Sequence, residues 1–491
     1  MSIDVRQTAS YMQVQIDRLQ RAWRSTHNNV QLLKPAEILL GTAAQHLHES
    51  DAEFKCVHKR IRAGNALSIG TLGGSNTAGA STTSKGEAPW LWHGLLVQAL
   101  KYDTGNHSSR SRAANGGIPQ TGPSYHALCG TRRLPPTPDL VMIDVAVNMA
   151  DVTPVEQQDR SLEQLLRQLR RHPARPAILA ANIHRWKSQI NSNVSEHERS
   201  AAEAIVSRLC RHYLVPQVSL RDALSASVSS KERRWGEFMA PDGKHLISQG
   251  HAFLAQLIWH LLAPAPTGTR DTSQLSGLEC PLPFRTLPPL LLTTGEDASP
   301  ECTICADGPK AMRVHVASAV GFRAESDWKR DVRGFTARSA GASLVLQLCC
   351  PLSYRSAIFL TYYRGPLMGD LRLRCAGGCV CKEQSPELRI SRGSPLPHTL
   401  GLLVRKRLGG STPTARRCCL IFLNVSSPYK MNSQRSLDSR GRAPPLFKLV
   451  NIALVASSPE AGTDALRDSA IPWRISWLLP PEVVAPGSVW G

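Results

Sequence analysis

At 491 residues the chain is longer than one ordinary hydrophobic core can organise, so its length predicts two domains joined by linkers. Its formal charge of +20 comes with no long basic block and no aromatic-basic RNA-binding motif, so the charge reads as a generally basic surface and no nucleic-acid partner is expected. No run of about 18 apolar residues argues for a membrane-spanning helix, and the polar stretch 1–24 lacks the apolar core of a secretory signal. A cytoplasmic location is the default expectation, with a secretory one if a leader precedes this start.

Residues 1–60 read as helical, with Tyr11, Val14, Ile16 and Leu19 at roughly helical spacing and a second stretch over 35–48. The pattern then alternates. Ala66-Leu67-Ser68-Ile69 reads as a strand and 90–100 as an apolar helix. A buried strand covers 139–145, followed by an amphipathic helix over 161–171 with Leu162, Leu165, Leu166 and Leu169 on one stripe. A third strand covers 177–181, a helix 201–213, a fourth strand 215–220 and a closing helix 252–262. This rhythm predicts a parallel sheet with helices on both faces, a three-layer α/β/α domain over 61–263.

Beyond Leu262 the texture changes. The segment 264–300 is rich in Pro, Thr and Ser and reads as a linker. Between 301 and 456 the apolar segments are short and strand-like, notably 343–348, 357–362, 419–423 and 447–455, which predicts a β-rich, sandwich-like second domain. The tail 457–491 shows no interpretable pattern and is expected to be disordered.

The 13 cysteines are uneven: Cys56, Cys129 and Cys210 are spread over the first half, and the other ten begin at Cys280. Disulfides suit an oxidising compartment and free thiols a reducing one. Cys302-Thr303-Ile304-Cys305 also has the spacing of half a zinc site, with Cys375, Cys379 and Cys381 able to supply the rest, but paired CxxC knuckles are missing and no metal or cofactor is assigned. Glycosylation sequons begin at Asn106, Asn193 and Asn424.

Four stretches carry candidate chemistry. In Gly73-Gly74-Ser75-Asn76-Thr77-Ala78-Gly79 a strand runs into two glycines and a serine, which can stand exposed at the carboxyl end of the strand. Asn115-Gly116-Gly117-Ile118-Pro119-Gln120-Thr121-Gly122 is a glycine-rich loop whose backbone N–H groups can approach a ligand. Asn148 follows the second buried strand, where its amide can donate toward the same edge as Ser75. In Asp242-Gly243-Lys244-His245 the aspartate can accept from one imidazole nitrogen, leaving the other to take a proton from a serine hydroxyl. His251 opens the last helix and reads as structural.

Together GGSNTAG, NGGIPQTGPSY, DLVMIDVAVN and DGKHLISQGH resemble the four blocks of the SGNH (GDSL-type) hydrolase family, in its divergent green algal and plant branch. The resemblance covers about residues 60–262, and the second half is similar to the sandwich-like extension of those proteins. It implies a flavodoxin-like sheet, with Ser75 as nucleophile, His245 as general base and then acid, and Asp242 orienting it. The N–H groups of Ser75 and Gly122 and the Asn148 amide would form the oxyanion hole. Met149 stands where members carry aspartate, and Leu246 where they carry proline. The implied activity is hydrolysis of carboxylic esters on a small molecule or glycan, including acetyl esters on carbohydrate. The alternative is a weakened or inactive relative that binds carbohydrate.

Overall fold

The computed structural model describes residues 5–24, 31–42, 52–79, 90–103, 110–119, 121–152, 155–186, 196–263, 287–288, 291, 300–327, 332–349, 356–364, 370–381, 396–406, 418–426 and 447–457. They fall into two compact units, Met1–Leu292 and Thr293–Gly491. No helix among the described residues is long and apolar enough to cross a membrane.

The first unit is built on five parallel strands: β1 (Ser68–Gly73), β2 (Arg112–Asn115), β3 (Leu140–Asp144), β4 (Ala177–Asn182) and β5 (Gln217–Ser219). Their order across the sheet is β2-β1-β3-β4-β5, the flavodoxin-like arrangement. Every residue of β3 and β4 is buried, as a sheet covered on both faces requires. Leu140, Met142, Leu179 and Ala181 face a core shared with the helices α1 (Val5–Arg24), α2 (Pro35–Gly41), α3 (Ala52–Arg62) and α5 (Trp92–Asp103). The closing helix α11 (Ser248–Leu262) joins the same core, burying twelve of its residues. The alternate residues Val141, Ile143, Ile178 and Ala180 are equally buried, as are the four leucines of α8 (Val155–Arg170). The fold class is thus the three-layer α/β/α arrangement that the strand–helix rhythm predicts.

The expected strand at 66–69 lies two residues further on and continues through Gly73. Two elements escape the periodicity. β2 is a four-residue edge strand with no apolar run, and α10 (Leu220–Ser229) starts directly at the end of β5, its N-cap Ser219 accepting from the Asp222 N–H at 3.1 Å. The closing helix begins at Ser248, so His251 lies inside its first turn, fully buried.

The N-terminal helices are fastened to the sheet domain by polar groups as well as by burial. Trp23 donates to the Leu95 carbonyl at 3.1 Å, and Gln256 bonds both the N–H and the carbonyl of Leu33. Glu37 is bonded by Ser227 and by two nitrogens of Arg233, at 2.6, 2.8 and 3.1 Å. Burial alone would raise the Glu37 pKa, but these donors outweigh it and hold the carboxyl below its ordinary value.

The second unit is antiparallel. One sheet has the order β12 (Asp370–Gly377), β15 (Cys418–Ser426), β10 (Ser343–Cys349), β7 (Val316–Val320). The other runs β13 (Cys379–Val380), β14 (Leu396–Lys406), β11 (Ser356–Arg364), β16 (Phe447–Ser457), β9 (Val332–Ala337), β8 (Phe322–Asp327), with β6 (Pro300–Asp307) also paired to β16. Leu344, Leu346 and Leu348 alternate inward on β10 and share one core with Ile358 and Leu360 of the second sheet.

Disulfides join Cys349 to Cys418, Cys375 to Cys381 and Cys379 to Cys419. The cysteines weighed as the remainder of a zinc site are therefore committed to bridges. Cys56, Cys129 and Cys305 are also disulfide-bonded, so bridges are not confined to the second half. Cys210 is free and buried, and burial pushes its thiol up to about 12. The sequon at Asn424 lies on β15; those at Asn106 and Asn193, the tail from 458 on and most of the expected linker lie outside the described residues.

Candidate active site

In a sheet of this order, β1 and β3 are the neighbours at which the chain reverses its direction of build, and ligands bind beyond their carboxyl ends. Ser75 follows β1 in the short helix α4 (Ser75–Ala78), and Asn148 follows β3 in α7 (Ala146–Val152). The loop after β2 arrives at the same edge, where the Gly116 N–H bonds the Thr71 carbonyl and the Ile118 N–H bonds the Gly73 carbonyl. The topology alone thus brings three of the predicted stretches together.

The fourth comes from the turn before α11. Asp242 accepts the backbone N–H groups of Lys244 and His245 at 3.1 Å each, which folds the turn back on itself. Its other oxygen lies 2.5 Å from His245 Nδ1, and His245 Nε2 lies 2.8 Å from Ser75 Oγ. A carboxylate only accepts, so Nδ1 carries the proton and Nε2 is left to accept from the Ser75 hydroxyl. Burial would raise the Asp242 pKa, but the bond and charge of His245 and the two backbone donors outweigh it and hold the carboxyl well below the usual range.

Asn148 Nδ2 donates to the Thr121 carbonyl at 2.6 Å, beside Gly122. A Cβ placed on Gly74 would lie 1.9 Å from the same nitrogen, so this amide sits directly against the residue preceding Ser75. The loop N–H groups of Gly116 and Ile118 are taken by β1 carbonyls, and those of Gly117 and Thr121 by Asn115 and Ile118. Those of Ser75 and Gly122 have no acceptor among the described residues. Two backbone donors and an anchored amide therefore lie in one place, next to a hydroxyl hydrogen-bonded to an imidazole.

The model of the GDSL-like Lipase/Acylhydrolase family matches residues 71–253, a span holding Ser75, Gly122, Asn148, Asp242 and His245. Residues 71–253 form a GDSL-like domain. The chain is also similar in fold, over most of its length, to a two-domain esterase (CEX) active on acetylated mannans. Its crystal structure with mannopentaose has a TM-score of 0.54 at 19% identity, covering 84% of this chain and 96% of that one. A second crystal structure of that esterase gives 0.54 at 21% identity with the same coverage. A lipase/acylhydrolase from Enterococcus faecalis aligns over 40% of this chain and 94% of its own, at 19% identity and a TM-score of 0.31. No curated protein sequence matches the chain.

Around the Ser75 turn of the GDSL-like domain lie groups that pattern reading misses. His126 Nε2 lies 3.1 Å from the Gly73 carbonyl, and His93 Nε2 lies 3.2 Å from that of Thr77. Burial lowers the pKa of His126 to about 3 and of His93 to about 4, so both are neutral and donate through Nε2 to the two ends of the turn. Beneath the turn, burial raises the Asp144 pKa to about 7 against the Thr77 hydroxyl, which donates to it at 2.9 Å. The Asn76 amide bonds the backbone on both sides of His245. None of these contacts has a sequence spacing that announces it. Met149 is buried in α7 with its N–H on the Val145 carbonyl, and Asn148 keeps its bond to Thr121 beside it.

Proposed function

We propose that the GDSL-like domain is a serine esterase working by acyl transfer. Ser75 Oγ attacks an ester carbonyl as His245 Nε2 takes its proton; Asp242 holds the imidazole in the needed tautomer and stabilises its charged form. The oxyanion is received by the N–H groups of Ser75 and Gly122 and by the Asn148 amide. His245 then returns the proton to the departing alcohol, and water, activated by the same nitrogen, releases the acid. The observation that carries this reading is the unbroken hydrogen-bond chain from Asp242 through His245 to Ser75, beside two N–H donors with no acceptor among the described residues.

The substrate class we propose is acetyl esters on carbohydrate, since the two-domain esterase that shares the layout acts on acetylated mannans. The test is turnover of p-nitrophenyl acetate and of an acetylated glycan by the full chain and by Ser75→Ala, with fluorophosphonate labelling mapped by peptide. Ser75→Ala is expected to lose at least roughly 10³-fold in kcat, and label is expected on Ser75. Equal rates, or label elsewhere, overturn the site. A protein that binds glycan but neither turns over ester nor takes label supports the silent carbohydrate-binding alternative.

A further inference from the structure

From the geometry around α4 we infer that Asn76 is a positioning residue that holds His245 in line with Ser75. This inference rests on reading Ser75, His245 and Asp242 as the reacting set.

Asn76 is 2% exposed and immediately follows Ser75. Its Nδ2 donates to the Lys244 carbonyl at 2.9 Å, and its Oδ1 accepts the Leu246 N–H at 2.7 Å. Those two backbone groups flank His245, about 170 residues away in sequence. The nucleophile and its base are therefore joined twice: once through the reactive bond from Ser75 Oγ to His245 Nε2, and once through the amide of the next side chain. The second link bears no proton of the reaction. It fixes the distance across which the first must work.

The chemistry selects this residue type. An amide presents a donor and an acceptor side by side on one planar fork, and turning it over would set oxygen against oxygen and N–H against N–H. Aspartate would keep the Leu246 bond but face the Lys244 carbonyl with a second acceptor. The partner matters equally. Leu246 has the N–H that a proline at this position would lack. This chain thus supplies the donor that the Asn76 oxygen uses. Leu246 is itself fully buried, and its short bridge with Met239 ties the same turn to the segment preceding it.

The other anchors of the turn set its own shape. The Ala240 N–H bonds the His245 carbonyl, Asp242 bonds the N–H groups of Lys244 and His245, and the Trp186 N–H bonds the Gly243 carbonyl. Those bonds give the turn its form; the Asn76 amide tells it where Ser75 is. A shift of about 1 Å between reacting groups costs roughly 10²-fold in rate.

The test compares kcat and KM for p-nitrophenyl acetate in the full chain for Asn76→Ala, Asn76→Asp, His245→Ala and the Asn76→Ala/His245→Ala double variant, with Ser75→Ala as reference and circular dichroism to establish folding. Asn76→Ala is expected to lower kcat about 10²-fold with KM little changed. In the His245→Ala background it should cost nothing further, because it acts through that imidazole. Asn76→Asp, close to the native shape, keeps the argument testable if the alanine variant fails to fold: its kcat should fall, and the acidic limb of its pH–rate profile should move upward. Wild-type kcat in a folded Asn76→Ala or Asn76→Asp overturns the proposal, as does full additivity with His245→Ala. If Ser75→Ala stays active, the reading of the reacting set has failed instead.

Discussion

Gly74→Ala is the sharpest perturbation of the candidate site, because it adds one methyl group and no charge. Gly74 has φ −87°, so an alanine meets no left-handed strain. What it meets is the Asn148 side chain: its Cβ would lie 1.9 Å from Nδ2 and 2.7 Å from Cγ. Either Asn148 swings away and gives up the Thr121 carbonyl, or the turn carrying Ser75 moves. The first removes an oxyanion donor, worth about 10²–10³ in kcat, or about 3–4 kcal/mol of transition-state stabilisation. The matched control is Gly236→Ala, where a Cβ has nothing within 4 Å. The assay is kcat on p-nitrophenyl acetate with thermal denaturation in parallel. Gly74→Ala should lose roughly 10²-fold or more while Gly236→Ala stays at the parent rate. In an Asn148→Ala background the glycine change should cost little, since the space is then vacant. A Gly74→Ala enzyme within about threefold of the parent would refute the oxyanion role of Asn148.

Stability should fall steeply on mild acidification. His93, His126, His251 and His260 are held neutral by burial, with pKa values lowered to about 4, 3, 3 and 4. Their contribution is complete above pH 6.5 and is lost as pH falls toward 4, because the unfolded chain takes up protons that the fold refuses. Asp144, raised to about 7, opposes one of the four over the same window, so these five groups together contribute about three protons, or about 4 kcal/mol per pH unit. Urea midpoints at pH 7.5, 6 and 5 check this, and a flat series would show that these imidazoles are not buried in solution. Arg233→Ala should cost about 3–5 kcal/mol by leaving the Glu37 carboxylate buried without its cation. Lys34→Ala, which breaks an exposed pair with Glu232, should cost under about 1 kcal/mol. Similar losses for the two by chemical denaturation would contradict the burial of the Glu37 cluster.

What could be read beforehand follows from how locally each feature is encoded. β3 and β4 are apolar runs with turn signals at both ends, and such runs have few other destinations. β2 has only Ala113 and Ala114 to show, because an edge strand is held by the backbone of β1 rather than by its own side chains. The approach of Asp242 to His245 is a matter of three residues and is legible; their approach to Ser75 rests on strand ends that the α/β rhythm brings to one edge. Asn76 is invisible by comparison, since an amide that bonds backbone 170 residues away leaves no periodicity. The amphipathic faces of the N-terminal helices announce helices but not what those faces cover. Cysteine pairing is likewise a three-dimensional fact, and spacing alone left zinc, thiol and disulfide open.

Neighbouring residues on a strand point to opposite faces, and Cys418 and Cys419 are neighbours on β15 that bridge different partners. Cys418 stands directly across from Cys349 in the β10 ladder, while Cys419 is fully buried and reaches Cys379. A slip of β15 by one position would exchange the two sulfurs between the outer and inner faces and bring neither to its mate. The pair therefore acts as a covalent key: oxidation closes both bridges only when the strand is seated in one alignment. Production in a reducing host leaves that alignment to packing alone, whereas an oxidising host proofreads it.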